Sequence, residues 1–208
     1  MLAKMRNIGQ ACTAANRFII HDSVADEFAQ KFAAKMDALK LGRGVAADTT
    51  CGPVINEKAR ANMVRLVETT KAEGGEVVSG GQALDGEGYF FKPTVLDHVK
   101  PGSTILQEEI FGPIAPIVRF KTEEEAVRLA NDTPYGLVSY AFTQDLKRGL
   151  RLAETLDTGM TGLNSGLVSN AAAPFGGVKQ SGLGREGGLE GINEYLETKY
   201  VMIPDPQA

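Results

Sequence analysis

The chain has 208 residues, with 22 Lys and Arg against 26 Asp and Glu for a formal net charge of -4, and 2 cysteines. That length can bury a substantial core and suits one domain of ordinary size or one with appendages, and the acidic balance leaves no basic stripe to neutralise nucleic-acid phosphates. No apolar run can cross a bilayer, "MLAKMRNIGQ" lacks the apolar middle of a secretory signal, and Cys12 and Cys51 have no Cys or His neighbours at the spacing of a disulfide framework or zinc site. Nucleic acid, membrane and metal are therefore not expected partners, and the default location is the cytoplasm.

In chain order the first feature is "RNIGQACTAANRF", Arg6 to Phe18, where Cys12 is flanked by Gly9, Gln10, Thr13 and alanines, all small or polar. Such neighbours present a thiol instead of packing it. "RFII" reads as a short strand. Asp22 or Ser23 is expected to cap a helix that aligns Val24, Phe28, Phe32, Met36 and Leu39 as a core stripe and leaves Glu27, Lys31, Lys35 and Lys40 solvated. A second helix from about Asn56 turns Met63, Leu66, Val67 and Thr70 inward and stops at Gly74-Gly75.

"EVVSGG", "KPTVLDHV" and "PIAPIVRF" follow as strands between Gly and Pro punctuation, and Thr122 to Glu125 forms a capping box for a helix carrying Ala126, Val127, Leu129 and Ala130. Then come the strand "LVSYAFT", a helix from about Asp145 to Leu156, "GMTGLN", a glycine-rich stretch and "KYVMIP". This alternation predicts an α/β fold with a mostly parallel sheet and helices on both faces.

Two further segments stand out. "EEIFGP", Glu108 to Pro113, places two acids and an aromatic before a Gly-Pro turn, and by itself reads equally as a surface turn with Phe111 closing the core. "PFGGVKQSGLGRE", Pro174 to Glu186, implies a backbone that approaches something closely, yet it has neither a G-x-G-x-x-G turn nor a Walker ending. On the residues alone Arg6 reads as a surface ion-pair partner and Ser169 as a turn residue. Cys51 reads as a small apolar filler, and His21 and His98 as turn or surface residues.

Taken in order, the segments around Cys12, "EEIFGP" and "PFGG" resemble the aldehyde dehydrogenase superfamily. The match runs from Arg6 to the ending "LETKYVMIP" and corresponds to the second half of that family's polypeptide. "KMRNIGQACTAANRF" with "GLVSNAAAPFGGVKQSGLGREG" is most similar to succinate-semialdehyde dehydrogenases. The resemblance implies a catalytic domain over residues 1–190 and a helical turn and oligomerisation strand over 191–208, the cofactor-binding domain lying outside the chain.

It also implies roles for individual residues. Cys12 would attack the aldehyde carbon to give a thiohemiacetal, its own backbone N–H steadying the oxyanion, and then a thioester that water hydrolyses. The Arg6 guanidinium, whose planar fork suits a carboxylate, and Ser169 would grip the distal carboxylate of an aldehyde acid, and Phe175 would line the tunnel. Glu109 would hold the ribose of NAD or NADP, with Phe111 near the nicotinamide ring. Glu186 would tune the general base through a water, although beside Arg185 it reads equally as an ion pair.

The family's general-base glutamate, oxyanion asparagine and dinucleotide-binding half precede the matching region, so the 208 residues alone are expected to be a poor dehydrogenase or none, and to self-associate as a homo-oligomer. Lys199 to Pro204 would extend a neighbouring subunit's sheet. Ala14 occupies the position where some relatives carry a second cysteine, which leaves no local disulfide at Cys12. Glutarate semialdehyde or another aldehyde acid is the nearest alternative substrate, and a truncated, incompetent piece that self-associates is the alternative of another class. A thiol hydrolase comes last, because no motif places a histidine near Cys12.

Overall fold

The computed structural model describes residues 1–204. Their elements are α1 (Leu2–Met5), a 3-10 turn (Arg6–Gly9), β1 (Phe18–His21), α2 (Asp22–Asp37), α3 (Glu57–Ala72), β2 (Glu76–Ser79), β3 (Thr94–Asp97), α4 (Thr104–Gln107), β4 (Ile114–Phe120), α5 (Glu123–Asn131), β5 (Tyr135–Gly136), β6 (Val138–Ala141), α6 (Leu146–Thr155), β7 (Met160–Leu163), β8 (Val178–Lys179) and a second 3-10 turn (Glu190–Tyr195). The main sheet has the order β1-β4-β3-β2, parallel except for β2, which runs antiparallel to β3 at the edge. β6 and β7 form a parallel pair, and β5 and β8 an antiparallel one.

The period of two along β3 and β4 builds two cores. Val95, Ala115 and Ile117 point to α2 and meet Ala29, Phe32, Ala33 and Met36, while Leu96, Ile114 and Val118 point the other way and meet Met63, Leu66 and Val67 of α3. A central strand buried on both sides reads as a continuous apolar run, as "TVLD" and "IAPIV" do, and the result is the α/β architecture with helices on both faces. Among the described residues no helix is long and apolar enough to cross a membrane.

α3 follows its sequence pattern closely. Asn56 accepts the Ala59 N–H at 2.9 Å, Met63, Leu66, Val67 and Thr70 are buried, and Gly74 takes φ +97 to end the helix. α2 departs from its expected form twice. Its N-cap is His21, whose ring accepts the Ser23 N–H at 3.2 Å and stands edge-on to Phe120, so neither Asp22 nor Ser23 caps it. Its inward face is Ala25, Ala29, Phe32, Ala33 and Met36, with Phe28 and Leu39 half-buried and Val24 49% exposed. Alanines let this helix sit close on the sheet, so the buried stripe follows small side chains as well as bulky ones.

In α5 Thr122 accepts the Glu125 N–H, but the Glu125 carboxylate returns to the Lys121 N–H and not to that of Thr122. No residue of α5 is fully buried; Leu129 packs half-buried against the α3 core. Among the described residues, 196–204, including the expected strand "KYVMIP", pair with no strand, and residues 205–208 of the expected terminal appendage lie outside the described residues. A strand needs a ladder partner, and the expectation for this one was a neighbouring subunit.

Candidate active site

The cysteine segment reverses sharply before Cys12. Asn7, Ile8 and Gly9 have φ of 47, 54 and 80, three successive left-handed residues of which only the last is a glycine. Gly9 is required by contact as well as conformation, since a Cβ there would meet the Gly112 carbonyl oxygen at 2.3 Å. The cysteine segment and "EEIFGP" therefore touch backbone to backbone.

Cys12 is exposed and occupies the second position of a tight turn closed by the Ala14 N–H donating to Ala11 O at 2.9 Å. Among the described residues its own N–H donates to no protein acceptor. Three anchors hold the turn. The Ala15 N–H donates to Ala3 O at 2.8 Å. The Asn16 side chain clamps the acidic loop, donating to Glu108 O at 2.8 Å and accepting the Ile110 N–H at 2.9 Å. From β6, the Tyr140 O–H donates to Thr13 O at 3.0 Å.

Arg6 and Ser169, 163 residues apart, come together at the surface, with Arg6 Nη1 3.3 Å from Ser169 Oγ. Glu109 and Phe111 lie exposed on either side of buried Ile110, Phe111 with φ +47. Arg65 pairs with Glu108, whereas the Glu109 carboxylate has no partner among the described residues. A partner-free carboxylate can accept from the hydroxyls of a sugar diol, and the exposed ring near it in the loop offers a face to a flat heterocycle. Half-buried Phe175 and exposed Glu186 share a two-bond backbone bridge. Arg185 does not pair with Glu186; its guanidinium donates to Gly177 O and Gly184 O, both at 2.7 Å.

The structure thus joins Arg6 with Ser169, Phe175 with Glu186, and the Cys12 segment with the loop carrying Glu109. No hydrogen bond among the described residues links Cys12 to Arg6, Ser169, Phe175 or Glu186. Three residues near this region were not singled out in the sequence. Asn16 lay inside the quoted cysteine motif as an unused polar residue, and Tyr140 was one aromatic in a strand. Burial pushes the Tyr140 phenol up. Lys4 is 1% exposed, and burial alone pushes its ammonium down to about 7. Among the described residues no group of three or more His, Cys, Asp or Glu is arranged for a metal.

The model of the aldehyde dehydrogenase family matches residues 1–201. The chain is 55% identical over 99% of its length to the succinate-semialdehyde dehydrogenase of Paenarthrobacter nicotinovorans, covering 46% of that protein. It is 48% identical over 98% of its length to the glutarate-semialdehyde dehydrogenase of Pseudomonas putida, covering 42% of it. The crystal structure of succinate-semialdehyde dehydrogenase from Burkholderia pseudomallei superposes with a TM-score of 0.90 at 50% identity, covering 93% of this chain and 40% of that one. The NAD+ complex of an aldehyde dehydrogenase from Bacillus cereus superposes at 0.90 with 37% identity, covering 94% of this chain and 40% of that one. The chain spans less than half the length of these relatives.

Proposed function

The chain belongs to the aldehyde dehydrogenase family, and on that premise we propose that it is the aldehyde-capturing half of a succinate-semialdehyde dehydrogenase, which oxidises succinate semialdehyde to succinate with NAD or NADP. The observation that carries this reading is the meeting of Arg6 and Ser169 at 3.3 Å, which offers a fork and a hydroxyl to one carboxylate.

Cys12 Sγ would add to the aldehyde carbon of a substrate held by that pair, and the unengaged Cys12 N–H would donate to the new oxyanion. Glu109 and Phe111 would hold the nicotinamide nucleotide, which when bound supplies the acceptor for the hydride leaving that carbon. Cys12 then carries the acyl group as a thioester until water releases the acid. Phe175 would wall the approach, and Glu186, free of Arg185, would order water.

A second substrate, glutarate semialdehyde, is favoured by the 48% identical Pseudomonas putida relative, since the same grip serves either carboxylate. The test is a thermal shift with succinate semialdehyde, glutarate semialdehyde and propionaldehyde, on the native chain and on Arg6→Gln. The reading predicts the largest rise with succinate semialdehyde and none with Arg6→Gln. Equal shifts with propionaldehyde would overturn it.

Residues 1–190 are proposed as the catalytic domain and 191–208 as the oligomerisation appendage. Supporting this, Leu189, Tyr195, Leu196, Tyr200, Val201 and Ile203 are all exposed, an apolar run that self-association would cover. Native mass against concentration checks it.

A further inference from the structure

We propose that Tyr140 is a positioning residue that holds the Cys12 turn in register with the Arg6–Ser169 pair; the proposal rests on the reading of Cys12 as nucleophile and of that pair as the carboxylate grip.

The turn Ala11–Ala14 is closed by one bond of its own, and its third residue, Thr13, is buried. The Thr13 carbonyl, directly after the nucleophile, takes its hydrogen bond from the Tyr140 O–H at 3.0 Å, from a strand 127 residues away. β6 is a firm base for that bond. Tyr140 is in register with Gly162 of β7, and Ser139 Oγ lies 2.9 Å from Thr158 Oγ1 and 3.1 Å from Thr161 Oγ1.

Gly162 links Tyr140 to the other end of the site. A Cβ at Gly162 would meet Tyr140 Cδ1 at 2.9 Å and Val168 Cγ1 at 3.2 Å, so the Tyr140 ring and Val168 both pack into the space this glycine leaves. Val168 directly precedes Ser169, which bonds to Arg6. One side chain therefore touches the peptide after the nucleophile with its hydroxyl and, with its ring, the niche that seats the grip's serine segment. A carboxylate-bearing ligand can reach Cys12 only if the span between grip and sulfur is fixed, and half an ångström matters for such alignment.

The experiment compares alkylation of Cys12 by iodoacetate and iodoacetamide, each rate normalised to that of free glutathione, in the native chain, Arg6→Gln and Tyr140→Phe. Tyr140→Phe keeps the ring against Gly162 and removes only the hydroxyl. The native chain is expected to favour iodoacetate about tenfold through the charged grip. Arg6→Gln should erase that preference, and Tyr140→Phe should reduce it severalfold while remaining folded by thermal melt. If the preference is present and Arg6-dependent but Tyr140→Phe retains it, Tyr140 is merely structural and the proposal falls while the grip stands. If the native chain shows no preference, or Arg6→Gln does not change it, the grip reading falls and the proposal with it.

Discussion

Phe175 and Glu186 face each other across a closed backbone bridge, with the Phe175 N–H 2.7 Å from Glu186 O and the Glu186 N–H 2.9 Å from Phe175 O. The bridge zips the ends of the glycine-rich loop, and it needs a glycine at position 176, where a Cβ would meet Gly184 O at 2.4 Å. Gly176→Ala should force the loop open, costing about 1–3 kcal/mol and abolishing the thermal shift with succinate semialdehyde. Glu186→Gln, whose contacts here are main-chain, should leave the melting temperature unchanged. Differential scanning calorimetry of both variants with and without ligand reads the two effects.

Lys4 is expected to make stability rise with pH. The unfolded amine titrates near its ordinary value of 10.5 and the folded one at about 7, so between these values unfolding takes up a proton. Below about 7 both states are charged and the full cost of the buried ammonium is felt; it is relieved as pH rises towards 10.5. Lys4→Met, of similar length, should be more stable than the native chain at pH 7, with the gap narrowing by about 1.4 kcal/mol per pH unit above that. Urea unfolding at neutral and alkaline pH measures it, and parallel curves for the two proteins would contradict it.

Asn16 ties two loops that carry different parts of the proposed chemistry. Asn16→Ala removes both bonds to the Glu108–Ile110 backbone and leaves the half-buried Glu108 carbonyl and the buried Ile110 N–H without that partner. The loss should be about 2–3 kcal/mol, with faster hydrogen exchange at Ile110 and unchanged exchange in α3. Mass-resolved exchange distinguishes this local loosening from global unfolding.

Arg119 holds buried Asp97 with a two-pronged contact, Nη2 to Oδ2 at 2.6 Å and Nε to Oδ1 at 3.2 Å, and also reaches Asp26 at 2.6 Å. Burial pushes the Asp97 carboxyl up, but the Arg119 fork and the His98 N–H hold it below its ordinary value. The pair's contribution is therefore present above the unfolded carboxylate range and lost as pH falls through the folded value. Arg119→Met should cost about 3–5 kcal/mol at neutral pH by stranding a buried charge, and less in acid. Denaturant melts at neutral and acidic pH check both the size and the direction.

Much of the fold is legible in the sequence because Gly and Pro divide it into segments with clean periods. In α3 the bulky residues alone define the buried face, so spacing sufficed. In α2 alanines share the burial and a histidine ring makes the cap, and neither departs from ordinary surface composition. Cys12 stood out locally through its small and polar neighbours, whereas Arg6 and Ser169 were singled out only through the order of motifs, since nothing local distinguishes a grip arginine from a surface one. Asn16 and Tyr140 act through bonds spanning 92 and 127 residues, which no periodicity reports. Lys4 was passed over because a lysine is ordinarily solvated, and only the fold buries it.

The most direct test of the central claim, that Cys12 captures an aldehyde acid held by Arg6 and Ser169, is protection of Cys12 from iodoacetamide by succinate semialdehyde, with mass spectrometry locating the label and buried Cys51 as the internal control. The account predicts concentration-dependent protection of Cys12, much weaker with propionaldehyde, and no difference between the two aldehydes in Arg6→Gln. Labelling of Cys12 at the same rate with and without succinate semialdehyde in the native chain would contradict it.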